Sequence, residues 1–472
     1  MKSRSLPFIL LGIVLLTLSL CSRKQKDPVL FQFGSDRVYV SDFYKYNSEF
    51  YFNNYPNEEK LKVVNRYFVK ELMLYDALKK DYASQQDIVA KINEQSKNAL
   101  IRVFLDRSIR DTIITEDMMM QTYNNSEDIF KATHPFEEEK KQIIDKLINL
   151  NRGRLQQAYY KFIEDTKFNF DVVLQAPAIQ SLAQQFAEER DGFQPDSTQN
   201  KTTPLDILKR VGGDEVLVTY KLGKIKTSDL LAELETYPDR VPPNLDQMEM
   251  VSSILDAIVF QNILLNLAHN MKIERDPDYL LDMDEFRKET ILTAYINTEI
   301  DAKIKPTDGD MLAFYEHNKD SLYLTTAKAE VQEIYLKDRE LAEKILRRAL
   351  QGENFGKLAD QYTTRFTEKA KKGYLGFITT KQYGGIGRVA PNLAPNTVYG
   401  ELIPSGKGFS IIKVFNVQPS VPKSYDQVES RVRTDCYNEI KKSLRMELLQ
   451  SLKQKYNAKI FLENVGVTVA ER

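Results

Sequence analysis

Residues 333–363, EIYLKDRELAEKILRRALQGENFGKLADQYT, decide the fold of the C-terminal third. They open on the end of a strand pattern that begins at Ala329 and alternates through Val331, Glu333 and Tyr335. Ala342, Ile345, Leu346 and Ala349 then recur at spacings of three and four, which predicts a helix over 339–351. Phe355, Leu358, Ala359 and Tyr362 repeat that spacing and predict a second, shorter helix. Downstream, GYLGF (373–377) reads as a tight turn into a strand. Residues 402–404 and 408–417 read as two strands joined through Pro-Ser-Gly-Lys-Gly. The block 325–418 is therefore predicted to be a small antiparallel sheet with short helices.

Outside that block the chain is helical and repeats itself. FQFGSDRVYVSDF (31–43) combines a strand pattern with a Ser-Asp helix-capping signal, and VLVTYKLGKIKTSDLLAEL (216–234) does the same. Each is followed by a long helical stretch. The first carries Leu61, Val64, Phe68, Leu72 and Tyr75, the second Ile254, Ile258, Gln261, Leu265 and Leu267. A further helix (87–110, 284–304) and a cap-initiated one follow in each copy, opened by Ile114-Thr115-Glu116-Asp117 and by Pro306-Thr307-Asp308-Gly309-Asp310. Residues 135–174 and 424–465 give parallel endings, a long amphipathic helix closing on a short strand. The second copy holds the block 325–418 where the first has only 126–134. The polar stretch 188–204 is the predicted linker.

The quoted segments, together with LAPNTVYGEL (393–402) and GKGFSIIKV (406–414), resemble the parvulin family of peptidyl-prolyl isomerases over roughly a fifth of the chain. The family pattern is a strand ending HILVK, a helix, G-x-x-F-x-x-L-A-x-x-[YF]-S, then GDLGW, PGE[IV] and GYHIIKV. The helical flanks resemble the SurA and PrsA foldases of the bacterial envelope, in which terminal helices form a chaperone module around parvulin insertions. The resemblance implies an α+β, mainly helical fold, with duplicated SurA-like helical lobes and one inserted parvulin-like domain. The expected division is 1–21 signal segment, 28–187 first helical unit, 188–204 linker, 205–324 second helical unit, 325–418 parvulin-like domain, and 419–472 a C-terminal helix closing the second helical unit.

Prolyl isomerisation lowers a rotation barrier of about 18–20 kcal/mol without breaking a bond. Active parvulins resemble one another in two facing histidines, an Asp or Cys between them, and a Met/Phe pocket for the proline ring. Carried over by position, the HILVK histidine falls at Glu333, the Asp/Cys position near Phe366 and the GYHIIKV histidine at Ser410. The pocket methionine falls at Tyr383, and the pocket phenylalanine near Ile386 or Gly387. No histidine occurs in 325–418. Glu333, without a partner carboxylate in view, reads as part of a solvated strand face. The stretch GGIGRVAPN (384–392) reads as too rich in Gly and Pro for a good helix. Leu375, Phe377, Tyr383, Ile386 and Phe409 are the candidate peptide-binding residues. Strand addition of an extended client needs no catalytic group at all.

The first twenty residues bear on location. Lys2 and Arg4 precede an apolar run over 6–20, shorter than the roughly 20 residues of a spanning helix. The run ends Leu18-Ser19-Leu20-Cys21, which resembles a lipobox with Cys21 as the lipidated residue. Leu20 departs from the small residue usual before that cysteine. An ordinary cleaved signal and a retained anchor stay open beside lipidation, and all three place the protein outside the cytoplasm, in the periplasm or cell envelope.

Composition narrows the function. Lys plus Arg (66) and Asp plus Glu (67) nearly cancel, which argues against a nucleic-acid partner. Two cysteines and three dispersed histidines argue against a metal site or disulfide framework, and no GxxxxGK[ST] loop calls for nucleotide. No cofactor is expected. The expected partners are unfolded or extended client polypeptides and, through Cys21, a membrane. An ATP-independent chaperone with a degenerate parvulin-like domain is the leading reading. An active isomerase and a structural or assembly lipoprotein are the alternatives.

Overall fold

A computed structural model describes residues 27–192, 203–236, 238, 241–365 and 372–468. Cys21 and Phe366 lie outside the described residues. The chain divides into two compact units, Met1–Asn297 with Leu449–Arg472, and Thr298–Leu448.

In the first unit, strands β1 (Val29–Phe33) and β2 (Asp36–Tyr39) form a hairpin. Long helices α1 (Asn57–Lys79) and α2 (Gln86–Leu105) follow, then α3 (Glu116–Asn124), α4 (Phe136–Leu150), α5 (Arg152–Asn169), strand β3 (Val173–Leu174) and α6 (Ala176–Asp191). After α7 (Pro204–Val211) the order begins again with β4 (Val216–Tyr220), β5 (Gly223–Lys226), α8 (Thr227–Glu235), α9 (Met248–Asn270) and α10 (Pro277–Glu299). The apolar spacing explains α1, because Val64, Phe68, Leu72 and Ala77 fall on one face and are all buried. Helix α9 is apolar and long enough to cross a membrane, yet its Val251, Leu255, Val259 and Ile263 belong to a core shared with Leu217, Ile225 and Phe186. Helix α2 packs through Leu100, Val103 and Phe104 against Leu264 and Ala268 of α9 and Ile273 of the 3-10 turn that follows it.

Of the predicted linker 188–204, residues 188–191 belong to α6 and Pro204 to α7, and 193–202 lie outside the described residues. Helix α6 continues through Asp191, and Thr203 caps α7 by accepting from the Asp206 amide. A Pro at the first position of α7 suits a helix start, since its missing N–H is one that the first turn leaves unpaired anyway.

The second unit contains α11 (Asp308–Leu322), β6 (Lys328–Leu336), α12 (Arg339–Leu350), α13 (Phe355–Tyr362), β7 (Tyr374–Thr379), α14 (Gly385–Val389), β8 (Thr397–Val398), β9 (Ile403–Ser405) and β10 (Gly408–Gln418). Helix α15 (Tyr425–Lys455) begins here, and β11 (Lys459–Ile460) and a 3-10 turn over Leu462–Val465 follow in the first unit. The sheet runs β7-β6-β10-β8, with β9 also on β10 and every pair antiparallel. Helices α12 and α13 cover one face over Ile334, Leu336 and Ile411. The other face holds Val331, Ile378, Ile403, Ile412 and Val414, with Ile386 and Ala390 packed on them. The chain enters and leaves this block side by side. The Thr325 amide donates to Val421 O at 2.7 Å and the Lys423 amide to Tyr323 O at 2.8 Å.

Two local expectations are corrected. GGIGRVAPN does form helix, α14 followed by a 3-10 turn over Ala390–Asn392. Burial of Ile386, Ala390 and Pro391 outweighs poor intrinsic propensity, and Gly387 fits where a Cβ would stand 2.1 Å from Gln382 O. The closing strands are also exchanged. β3 pairs with β4 and β11 with β1, so the end of the chain closes the first hairpin rather than the second. The edge of β4 is already taken by β3, and β11 satisfies the edge of β1 that would otherwise lie open.

Candidate functional site

The sheet face opposite α12 and α13 carries the positions at which the resemblance puts catalytic groups. Directly paired residues in an antiparallel ladder share a face. Ile412 lies opposite Glu333 and Ser410 opposite Tyr335, so Glu333, Tyr335, Ser410 and Ile412 stand together. Glu333 is fully buried, not on a solvated face. The expectation fails because the carboxylate has a cation, Arg365, which follows α13 and turns back over the sheet.

Arg365 Nε donates to Glu333 Oε2 and Nη2 to Oε1, both at 2.9 Å. The same Nη2 reaches Ser405 Oγ at 2.9 Å. Ser410, also fully buried, donates its hydroxyl to Glu333 Oε1. The guanidinium lies 4.3 Å from the centre of the Tyr335 ring. Burying a lone carboxylate costs several kcal/mol, and a bidentate Arg with an added hydroxyl donor offsets that cost.

The backbone around Glu333 is equally committed. Its amide donates to Gly373 O at 2.8 Å, and Gln332 Nε2 donates to Lys372 O at 2.7 Å. Gly373 has φ +77°, and a Cβ there would stand 1.9 Å from Glu333 O. The GYLGF turn thus needs glycine at its first position.

Glu333 and Ser410 are brought together, as the resemblance implies for the two facing positions, but as a hydrogen-bonded pair inside the domain. Ser410 Oγ has no exposure, so it cannot act as a nucleophile on a bound chain. The candidate peptide-binding residues do not gather at one place. Leu375 and Ile386 pack on the Ile403–Ile412 face. Phe409 packs on the α12–α13 side, with Arg339 5.8 Å from its ring centre. Phe377 is exposed opposite Glu330. Tyr383 is exposed with φ +53°, a conformation seldom adopted by a non-glycine residue. Arg365 was not singled out from the sequence. The available signal was a single carboxylate in the otherwise apolar strand end EIYL, which demands a cation, and Arg365 stands between the second helix and the GYLGF turn. Among the described residues no three His, Cys, Asp or Glu side chains form a metal-ligand set.

Residues 306–430 match the PPIC-type PPIASE domain. The foldase protein PrsA of Halalkalibacterium halodurans is 24% identical over 229 residues, covering 43% of this chain and 64% of the relative. This chain therefore spans about 64% of that relative's length. The PrsA foldase of Caldanaerobacter subterraneus is 24% identical over 232 residues, covering 46% of this chain and 72% of the relative. Among solved structures, one from work on PEB4 and Cj1289, described as SurA-like chaperones of Campylobacter jejuni, covers 55% of this chain and 100% of its own, at 18% identity and a TM-score of 0.31. Residues 306–430 thus match a PPIC-type PPIase domain, within a mainly helical chain that is similar to the PrsA foldases.

Proposed function

We propose that this protein is an ATP-independent chaperone of the cell envelope, held at a membrane through Cys21, that binds unfolded exported or outer-membrane polypeptides. In this reading its PPIC-type domain binds without isomerising. The observation that supports it is the Glu333–Arg365–Ser410 cluster. At the two sheet positions where the resemblance expects histidines, the polar groups are buried and bonded to one another. Catalysis of amide rotation requires donors preorganised toward the twisting carbonyl, and these donors already point at Glu333.

Export is supported by the apolar run over 6–20 and by the similarity to foldases. Two assays test the reading together. In the first, a thermally unfolded client is followed by light scattering, and an equimolar amount of the protein is expected to suppress aggregation. In the second, a protease-coupled proline-peptide assay is expected to give the spontaneous isomerisation rate. No suppression sinks the chaperone reading and leaves the assembly lipoprotein. A catalysed rate that Ser410→Ala abolishes assigns an active isomerase instead.

A further inference from the structure

The two repeats of the first unit correspond turn by turn. Helices α1 and α9 each end before a left-handed residue, Asp81 and Lys272, both with φ +57°, and each then makes a single 3-10 turn. Helices α5 and α15 end before left-handed Asp171 and Asn457, with φ +49° and +45°, and each leads into a two-residue strand. Ala77 in α1 and Ala268 in α9 are both fully buried. Each repeat lends its closing strand to the other's hairpin.

One cluster breaks the correspondence. Asp76, fully buried in α1, receives Tyr295 Oη at 2.6 Å, Tyr456 Oη at 2.6 Å and Lys455 Nζ at 2.8 Å, with Lys80 Nζ at 3.3 Å. By position after the matching turns, Leu267 of α9 takes the place of Asp76, and Phe104 of α2 takes the place of Tyr295. That second contact is apolar throughout, with Phe104 packed among Leu264, Leu267, Ala268, Ile273 and Phe162. Three of Asp76's four partners, Tyr295, Lys455 and Tyr456, come from the other repeat.

We propose that the first unit is a covalently fused, strand-exchanged dimer of two like halves, and that Asp76 selects which half pairs with which. Two first halves brought together would set Asp76 against Phe104, with Asn169 and Phe170 standing where Lys455 and Tyr456 stand. The buried carboxylate would then keep only Lys80. Two second halves would set the Tyr295 hydroxyl against Leu267 in place of Asp76. A pairing of two first halves would thus strip the buried Asp76 carboxylate of three of its donors, which the observed pairing supplies. The partner excluded is a second copy of this chain, whose like half would otherwise compete for the same strand edge.

The test uses the full chain with a protease-cleavage sequence placed within residues 193–202. After cutting, the two pieces are expected to remain one complex in gel filtration, and after dilution from denaturant to re-form the 1:1 pair in at least about tenfold excess over homo-pairs by native mass spectrometry. The cut double variant Asp76→Leu, Tyr295→Phe makes both contacts apolar, and its homo-pairs are expected to rise toward roughly half of the complexes. Asp76→Asn, of unchanged shape, serves if that variant does not refold, and is expected to raise homo-pairs in the same direction. Pieces that separate without denaturant overturn the fused dimer. Exclusive 1:1 pairing by the refolded variants overturns the role of Asp76.

Discussion

At the residue scale two fully buried acids, Asp76 and Glu333, organise the molecule, one in each unit. Glu333 depends on Arg365, and breaking a buried pair by removing one partner leaves an uncompensated charge. Arg365→Met is expected to destabilise the second unit by about 3–5 kcal/mol in a urea titration. The double change Glu333→Leu, Arg365→Met is expected to recover most of that loss, since a well-packed apolar replacement is often neutral. Asp76 titrates in the acid range. Burial opposes its ionisation, but hydrogen bonds from Lys455, Tyr295, Tyr456 and Lys80 outweigh burial and hold its carboxyl well below the usual range. Its folded pKa lies below the unfolded one, so the unfolded state takes up the proton first as the pH falls. The stabilisation is complete above about pH 5 and is lost progressively below about pH 4. Asp76→Asn is expected to be less stable than wild type by about 2 kcal/mol at pH 7, and the difference is expected to narrow as the pH falls below about 4, with only part of it gone at pH 3. Urea midpoints at pH 7, 5 and 3 measure it. Neither acid announced its partner in sequence, because Arg365 is 32 positions from Glu333 and Tyr295 is 219 from Asp76.

At the element scale the helices with clear apolar spacing were legible, whereas α6, α7 and α14 were not. The runs behind α1, α12 and α13 recur at three and four residues, and their apolar positions are the buried ones. Helix α14 escaped notice because its Gly387 serves close backbone approach and its Gly385 makes room for the Ile403 side chain, neither of which composition can reveal. Gly373 shows the same limit from the other side. Its φ of +77° and the 1.9 Å approach of an added Cβ to Glu333 O leave no room for a side chain. Gly373→Ala is expected to cost more than about 2 kcal/mol and to move β7 off β6. Loss of amide protection at Ile378 and Ala329 in hydrogen exchange is the measurement, and full retention of it would refute the requirement.

At the scale of the whole molecule, the block between Thr325 and Val421 leaves the helical scaffold where it enters it. Tyr315 Oη donates to Lys423 O at 2.6 Å beneath that junction, and Tyr123 Oη donates to His134 O at 2.9 Å at the matching place in the first repeat, where no sheet is inserted. Replacing 326–420 by a short turn is therefore expected to leave α11 and α15 joined and the helical scaffold cooperative in a thermal melt. It is also expected to retain suppression of client aggregation, since the helical repeats form most of the chain. A variant that folds yet suppresses nothing would move client binding to the PPIC-type domain.

Taken by itself, the sequence determined the periods and the repeated order of elements, because each is written in neighbours three, four or two positions apart, and it carried the motifs by which the block 325–418 resembles the parvulin family. It also determined that histidine chemistry is missing from 325–418. Only the tertiary structure decided that Glu333 is buried on Arg365, that Asp76 draws its partners from the other repeat, and that β11 closes the first hairpin rather than the second. The physical reason is common to all three. A strand edge or a carboxylate must be satisfied, but which of several distant donors satisfies it depends on which surfaces the packed helices bring within about 3 Å.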